Sequence, residues 1–420
     1  MISRPWRVAL FLFVAAGLNY ADRAALSSVI PPLRADLGIT DAQVGIVGML
    51  FLWSYAIASP FAGNLADRLS RPRVVVWSLV AWSVVTIFTG LATSIMALFV
   101  LRTALGIAEC FYLPAAGALL GEHHGKATLG KAMGFHMLGL NLGLVLGGSL
   151  AGLLAEYLGW RFGFWLLGGL GLLLALVSPF FLSGGPAPAA PAAPRPDAPP
   201  RPSAWAAWGY LLRVPSFHCL VISAMGAGVA SWIFLQWLPL FFAENHGLKL
   251  GAAGLAGVAL YKAPVFLGIG AGGWLSDVLV RRDARARALI KGLSFIVSSP
   301  FLFLMIGAPG FALVAASLMI SSAIRALGIP SEHPIICEVV PPPFRATAIG
   351  ILNTCGSAAG GIGVLLTGFL KQDLGLNLIF GASSFIYVLA GGVMLCSYWF
   401  FMERDMAKAR AYSTPPSPSP

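Results

Sequence analysis

The sequence predicts an all-α, polytopic membrane protein with about 12 transmembrane helices, arranged as two pseudo-symmetric six-helix halves. Three observations lead to this fold: the composition, the length of the apolar segments and an internal repeat. Of the 420 residues, 58% are hydrophobic and 10% are charged, whereas soluble globular chains carry about 25% charged residues. A bilayer accommodates this much apolar surface and water does not.

The apolar segments are about 20 residues long, which is the length a helix needs to cross the hydrocarbon core of a bilayer. Arg4 and Arg7 precede the first of them, but no small-residue cleavage site follows, so we expect an uncleaved span and not a signal peptide. The predicted spans lie near residues 8–30, 45–65, 74–94, 96–120, 132–155, 161–183, 216–242, 252–275, 288–308, 311–331, 344–369 and 377–402.

The segment between the sixth and seventh spans is rich in Pro and Ala, a composition typical of an extended or disordered linker. The predicted organisation is an N-terminal half at 1–183, a cytoplasmic linker at 184–204, a C-terminal half at 205–402 and a cytoplasmic tail at 403–420, disordered at its end.

Basic residues predict the orientation of the chain. Nineteen of the 27 Lys and Arg residues are counted at the termini, in the linker and in alternate loops, whereas the opposite loops hold only Arg34, Arg161, Lys249 and Lys371. This asymmetry predicts that both termini are cytoplasmic, in a multi-pass protein of the cell inner membrane. It also accounts for the net charge of +11 without a nucleic-acid partner.

The two halves resemble each other in sequence. Arg102 to Glu109 reads RTALGIAE in the fourth span, and Arg325 to Glu332 reads RALGIPSE in the tenth. Gly63-x-x-x-Asp67 follows the second span, and Gly273-x-x-x-Asp277 follows the eighth. Because each half has an even number of spans, the halves form a parallel repeat with one orientation.

Ionisable side chains inside the spans are functional hypotheses, because each costs about 2.5–3.5 kcal/mol on insertion scales. The first half carries Asp22, Arg23, Arg102 and Glu109. Their charges sum to zero when both acids are ionised and to +2 when both are protonated, so anion affinity would be linked to proton binding. The alternative interpretation is a set of buried ion pairs that lock helices together.

The second half contributes mainly positive charge. Lys262 and Arg325 lie within spans, and Glu332 is the obvious acid there. This excess of basic groups favours an anionic substrate, unless Lys262 extends to a membrane interface.

Motifs of other protein classes are missing from the sequence. There is no His-Glu-x-x-His, no Gly-x-Ser-x-Gly and no Gly-x-x-x-x-Gly-Lys-Ser/Thr, which argues against a membrane enzyme and a nucleotide-driven pump. The five Cys residues are scattered without disulfide or metal spacing. We expect neither a cofactor nor a metal.

The segment from Gly63 to Arg73, GNLADRLSRPR, resembles the signature loop of the major facilitator superfamily, with Ser70 and Pro72 as departures. The resemblance implies the major facilitator fold and a conformational latch that closes the cytoplasmic side in the outward-facing state. Its members would be Gly63, Asp67, Arg68, Arg71, Arg73 and Asp277.

The segments NYADR, from Asn19 to Arg23, and LRTALGIAE, ending at Glu109, resemble both the anion:cation symporters and the Spinster-like transporters. By this resemblance Asp22 and Glu109 are the proton-coupling carboxylates. Substrate-binding residues would be Arg23, Arg102, Arg325, Lys262, Tyr20 and Asn19. Cys110 stands where these families usually have Ala.

The expected function is secondary active transport by alternating access, coupled to protons in symport, with a small organic anion such as a sugar acid or other carboxylate as substrate. A Spinster-like transporter of lysolipids or sphingoid phosphates is the alternative. Drug efflux is less favoured, because the glycine series Gly139-x-x-x-Gly143-x-x-x-Gly147-Gly148 lacks the Pro of the antiporter motif and is interpreted as helix packing. We expect a monomer in the bilayer.

Overall fold

The structure is a computed structural model that describes residues 3–125, 128–182, 204–307 and 310–413, with the backbone alone at residues 63–68, 204 and 413. Within these ranges all regular secondary structure is helical. Nearly all of the predicted linker at 184–204 and the end of the predicted tail lie outside the described residues.

Eight helices precede the linker. They are α1 (Arg4–Ser28), α2 (Ile30–Leu37), α3 (Asp41–Arg68), α4 (Arg71–Gly90), α5 (Ile95–Glu109), α6 (Tyr112–His123), α7 (Leu129–Tyr157) and α8 (Trp160–Leu182).

Eight more helices follow it. They are α9 (Ala204–Leu211), α10 (Pro215–His246), α11 (Leu250–Val280), α12 (Ala286–Phe303), α13 (Phe311–Ala326), α14 (Glu332–Val339), α15 (Arg345–Cys396) and α16 (Met402–Ser413), with a π-helical turn at Ser397–Phe401 between the last two.

Eleven described segments are long and apolar enough to cross a membrane, and the last of them, Pro342–Tyr412, has 71 residues. Within that segment Gly375 has φ 71° and ψ 156°, which interrupts helix α15. This backbone conformation is open to glycine and unfavourable for other residues. Gly375 therefore separates the two last predicted spans, and the predicted all-α fold of 12 transmembrane helices is confirmed.

Two spans that the sequence predicts as continuous are broken in the structure. The fourth span stops at Glu109 and resumes at Tyr112. The tenth stops at Ala326, passes through a 3-10 turn at Ile329–Ser331 and resumes at Glu332. Both breaks have a sequence signal: Gly328 and Pro330 lie in the second, and Pro114 follows the first and cannot donate a hydrogen bond to the Cys110 carbonyl four residues earlier. The acid of each repeated motif thus lies beside a break.

The chain forms two compact units. Unit 1 comprises Met1–Asp197, Ile233–Ala259 and Val364–Gln372, and unit 2 comprises Ala198–Trp232, Leu260–Gly363 and Asp373–Pro420. Unit 1 therefore combines the first six spans with the end of α10, the start of α11 and a short part of α15.

Close packing of α1 against α7 organises unit 1. A side-chain carbon at Gly143 would overlap the Gly17 carbonyl group, and one at Gly147 would overlap the Ala21 backbone. Small residues at such contacts let two helices approach to backbone distance. The glycine series of α7 therefore serves in packing, as predicted, and it holds the segment of α1 that carries Asp22.

Candidate functional site

Four charged residues predicted from the sequence lie together in unit 1, and we call them the charged cluster: Asp22, Arg23, Arg102 and Glu109. Helix α1 contributes the first two and helix α5 the others. Asp22 and Arg102 are each 3% exposed, and Glu109 is fully buried. Burial of this depth is costly for a charge unless a partner of opposite charge lies near.

Arg23 and Glu109 form a buried ion pair. The Nε atom of Arg23 lies 2.7 Å from Oε2 of Glu109, and a terminal guanidinium nitrogen donates a 3.3 Å hydrogen bond to Oδ1 of Asn19. The acid on α5 is thus paired with the arginine on α1, and not with Arg102, which lies two turns earlier on its own helix.

Three aromatic rings surround the Arg23 guanidinium. Its central carbon lies 4.4 Å from the ring centre of Tyr20, 5.0 Å from that of Tyr55 and 5.1 Å from that of Phe51. Rings within about 6 Å attract a cation through their quadrupole. The guanidinium therefore has favourable contacts that do not depend on Glu109.

Helices α3 and α5 meet at Gly106, midway between the two charged residues of α5. A side-chain carbon there would overlap Ser54 and the backbone of Phe51. This close approach brings the aromatic residues of α3 to the charged face of α5. Gly106 belongs to the RTALGIAE motif, but its packing role is visible only in the structure.

Each acid of the charged cluster keeps one oxygen available. Thr86 donates a 2.8 Å hydrogen bond to Oδ2 of Asp22, while Oδ1 of Asp22 and Oε1 of Glu109 are buried without a hydrogen-bond partner among the described residues. Each carboxyl group can therefore bind a proton on its free oxygen and keep its existing hydrogen bond. Thr86, a hydroxyl in an apolar helix, was not singled out from the sequence.

Arg102 is the unpaired cation of the charged cluster. Its guanidinium lies 5.7 Å from the ring centre of Phe164, and its buried Nε has no hydrogen-bond partner in the described part of the chain. Asp22 and Glu109 act on it through electrostatic attraction without direct contact. A buried guanidinium in this state can bind a carboxylate or phosphate group.

Unit 2 holds the other two cations that the sequence singles out. Lys262 on α11 and Arg325 on α13 face the ring of Tyr261, at 5.2 Å and 5.5 Å from its centre. Glu332, the acid expected to compensate them, instead lies 2.7 Å from the ammonium group of Lys291. Lys291 lies within α12, inside the span predicted near 288–308, and is 2% exposed, but the sequence did not single it out as a partner of Glu332.

Unit 1 contains a second set of compensated charges, the four-residue ring Arg34, Asp41, Glu244 and Lys371. Arg34 lies 3.1 Å from Asp41 and 3.0 Å from Glu244. Lys371 lies 3.2 Å from Asp41 and 2.7 Å from Glu244. Each acid thus contacts both bases, and the ring ties α2, α3, α10 and α15 together. The sequence analysis identified Arg34 and Lys371 as two of the four basic residues in the otherwise base-poor loops, but nothing in the sequence indicated their acidic partners.

The predicted latch is only partly described. For Gly63, Asp67 and Arg68 the structure describes the backbone alone. Arg71 pairs with Glu122 at 2.5 Å, and Arg73 is exposed. Asp277, whose side chain is 77% exposed, lies 3.9 Å from Arg287. The role of these residues stays a prediction.

Asp36, on the short helix α2, forms an exposed ion pair with Arg161 at 2.6 Å. Hydrogen bonds from Arg161 and then from the Trp160 indole hold the pKa of Asp36 below its ordinary value.

Within the described ranges, no group of three or more His, Cys, Asp or Glu side chains is placed to hold a metal ion.

Comparison with known proteins agrees with this architecture. The rice (Oryza sativa subsp. japonica) protein "Probable anion transporter 4, chloroplastic" is 26% identical over 402 residues, which are 92% of this chain and 67% of that protein. The hexuronate transporter of Bacillus subtilis (strain 168) is 25% identical over 391 residues, 92% of this chain and 91% of that one.

A crystal structure of a bacterial homolog of the human lysosomal transporter Spinster, inward-facing and unoccupied, has the same fold. Its TM-score is 0.81 at 20% identity, with 99% of this chain and 100% of that chain covered. The model of the Major Facilitator Superfamily matches residues 12–312 and 284–420. The prediction of a membrane transporter, and not an enzyme, is thereby confirmed. The chain belongs to the Major Facilitator Superfamily.

Proposed function

We propose that this protein moves a small organic anion across the membrane by alternating access, coupled to protons through Asp22 and Glu109. The observation that carries the proposal is the buried 2.7 Å ion pair between Arg23 and Glu109, beside a second acid and the unpaired Arg102. Relatives named as anion and hexuronate transporters support the anionic substrate.

The Arg23–Glu109 pair provides a simple exchange of partners. A carboxylate on the substrate and the carboxylate of Glu109 compete for the same guanidinium. When Glu109 binds a proton on its free Oε1, it loses its charge, and Arg23 becomes available to the substrate. The rings of Tyr20, Tyr55 and Phe51 hold the guanidinium in place during the exchange.

Asp22 acts on the second cation in the same way. With Asp22 ionised, the attraction between its carboxylate and Arg102 offsets part of the positive charge. A proton on Oδ1 of Asp22 removes that attraction and leaves Arg102 with a greater affinity for anions. Two protons therefore convert a neutral cluster into one with charge +2, which favours anion binding.

The ring of Arg34, Asp41, Glu244 and Lys371 supports alternating access. It closes one end of unit 1 by joining segments that are up to 330 residues apart in sequence. Arg34 and Lys371 belong to the loops that the charge asymmetry assigns to the outer side. On that orientation the ring keeps the outer side closed, and the outward-open state requires its ion pairs to separate.

Reconstituted protein tests the coupling. Proteoliposomes with a pH gradient are assayed for uptake of glucuronate, and the same vesicles are assayed for substrate exchange without a gradient. We expect Asp22→Asn and Glu109→Gln to lose gradient-driven uptake, because neither side chain can then exchange a proton, while exchange continues. Glu403→Gln, which alters an acid whose side chain is 84% exposed, serves as the matched control.

The outcome that contradicts the coupling assignment is gradient-driven uptake by both variants at the wild-type rate.

The role of Arg102 in anion binding is tested separately. Arg102→Gln should raise the KM for glucuronate by about tenfold or more, as expected for the loss of one charge-assisted hydrogen bond. An unchanged KM would remove Arg102 from the binding site.

A further inference from the structure

Unit 2 contains a group of buried and half-buried residues that carries two positive charges and, among the described residues, no acid of its own. Lys262 and Tyr261 lie on α11, Arg325 on α13 and Ser231 on α10. Arg325 is 7% exposed and Tyr261 is 2% exposed, whereas Lys262 and Ser231 are partly exposed. We call this group the tyrosine-centred cluster.

The two cations share one aromatic ring. Both are within 5.5 Å of the centre of the Tyr261 ring. The Tyr261 hydroxyl donates a 3.0 Å hydrogen bond to Ser231, which holds the ring in place. The ring attracts each cation but leaves the total charge unchanged.

Nearby acids do not neutralise the pair. Among the described residues no carboxylate lies within 4 Å of Lys262 or Arg325, and the buried Nε of Arg325 has no hydrogen-bond partner. Glu332 exerts an attraction on Arg325, but its carboxylate is engaged by Lys291 at 2.7 Å. Lys291 and Glu332 cancel each other, so the group retains a charge of +2.

We propose that the tyrosine-centred cluster is an anion site for a ligand with two negative charges, either one phosphate group or two carboxylates. An arginine fork pairs with two oxygens of such a group, and the lysine supplies a second charge beside it. Uncompensated buried cations are costly in a membrane, and a doubly charged ligand neutralises both at once.

This inference deepens the proposed function, on which it rests for its transport role, by specifying the charge class of the substrate. The proton-coupling acids Asp22 and Glu109 are not members of the tyrosine-centred cluster. Binding measured without a proton gradient therefore does not depend on the coupling step, and variants of the cluster assign the charge preference to it.

The test compares three sugar derivatives of similar size. Glucuronate carries one negative charge, galactarate carries two carboxylates, and glucose 6-phosphate carries one phosphate that is doubly charged at pH 8. Binding to the purified full-length protein is measured by calorimetry at pH 8, without a gradient. We expect galactarate or glucose 6-phosphate to bind at least about tenfold more tightly than glucuronate, and the preferred one identifies the chemical source of the charges.

Variants locate the site. Lys262→Gln and Arg325→Gln should each reduce the preference for the doubly charged ligand to about threefold or less, and Arg325→Lys, which keeps the charge but not the fork, should have an intermediate preference. Lys131→Gln, a change of an exposed lysine on α7, should leave the preference unchanged. Lys262 is only partly buried, so its variant gives a result even if the Arg325 variant does not fold.

Three results would overturn the proposal: no binding of any of the ligands, equal affinity for all three, or a wild-type preference in both glutamine variants. Failure of the proton-coupling experiment leaves this measurement unaffected, since no gradient is present. Conversely, a protein that couples protons but shows no preference for double charge would retain the proposed function and lose the site in unit 2.

Discussion

The charged cluster of unit 1 and the tyrosine-centred cluster of unit 2 handle buried charge in opposite ways. In unit 1, Arg23 and Arg102 are accompanied by two acids, and the total is zero when both acids are ionised. In unit 2, Lys262 and Arg325 share an aromatic ring and have no acid of their own. A compensated cluster changes its charge when a proton binds, whereas an uncompensated one stays positive.

The contrast predicts that removing a cation has different consequences in the two units. A lost partner leaves an unpaired buried acid in unit 1, but removal in unit 2 leaves no opposite charge behind.

The largest effect is expected at the buried ion pair. Arg23→Gln leaves Glu109 buried without its cation, and breaking such a pair costs about 3–5 kcal/mol. Thermal unfolding of the purified protein at pH 8 measures this loss. The double variant Arg23→Gln/Glu109→Gln should recover most of the stability, and a double variant as unstable as Arg23→Gln would show that the pair contributes through shape and not charge.

Arg325→Gln should show the opposite behaviour in the same unfolding measurement. The variant loses a cation–ring contact of about 0.5–2 kcal/mol, but it also removes an uncompensated buried charge, so the net change should stay within about 1 kcal/mol of zero. Destabilisation as large as that of Arg23→Gln would contradict the comparison, because it would imply an acidic partner for Arg325.

The ring of four ion pairs in unit 1 should show a smaller coupling energy than the pair of Arg23 and Glu109. Lys371 is 10% exposed and Glu244 is 37% exposed, so water screens their interaction in part. A double-mutant cycle of Lys371→Gln and Glu244→Gln should give a coupling of about 1 kcal/mol. A coupling near zero would mean that the ring positions its helices without stabilising them.

The exposed ion pair of Asp36 and Arg161 separates the effect of burial from the effect of charge compensation. Asp36 is compensated by Arg161, but its side chain is 41% exposed, so Asp36→Asn should cost only about 0.2–1 kcal/mol. Because its pKa is below the ordinary value, the contribution is present above about pH 4 and is lost as the pH falls through the lowered pKa. Unfolding curves of both proteins should keep a constant offset from pH 8 to pH 5.

Much of the architecture could be predicted from the sequence, because apolar length determines where a helix can cross a bilayer. The predicted spans at 132–155 and 161–183 correspond to α7 and α8 within a few residues. The break after Glu109 was missed, although Pro114 cannot donate the helical hydrogen bond to the Cys110 carbonyl four residues earlier. The position of Lys291 inside the predicted span at 288–308 did not reveal its pairing with Glu332.

The members of the charged cluster could also be predicted, but their pairing could not. Ionisable residues are conspicuous in apolar segments, which identified Asp22, Arg23, Arg102 and Glu109. Which base contacts Glu109 depends on how α1 packs beside α5, and sequence spacing carries no such information. The same holds for the contact between Asp41 and Lys371, which lie 330 residues apart.

The glycine contact between α1 and α7 has a consequence for genetic screens. Gly143 has no functional group, yet any side chain there would push against the backbone of Gly17, five residues before Asp22 in the same helix. A screen scored on transport would rank Gly143 with the charged residues and suggest a direct chemical role. Loss of activity at such a position measures displacement of the neighbouring helix, so it identifies a residue of the scaffold and not of the binding site.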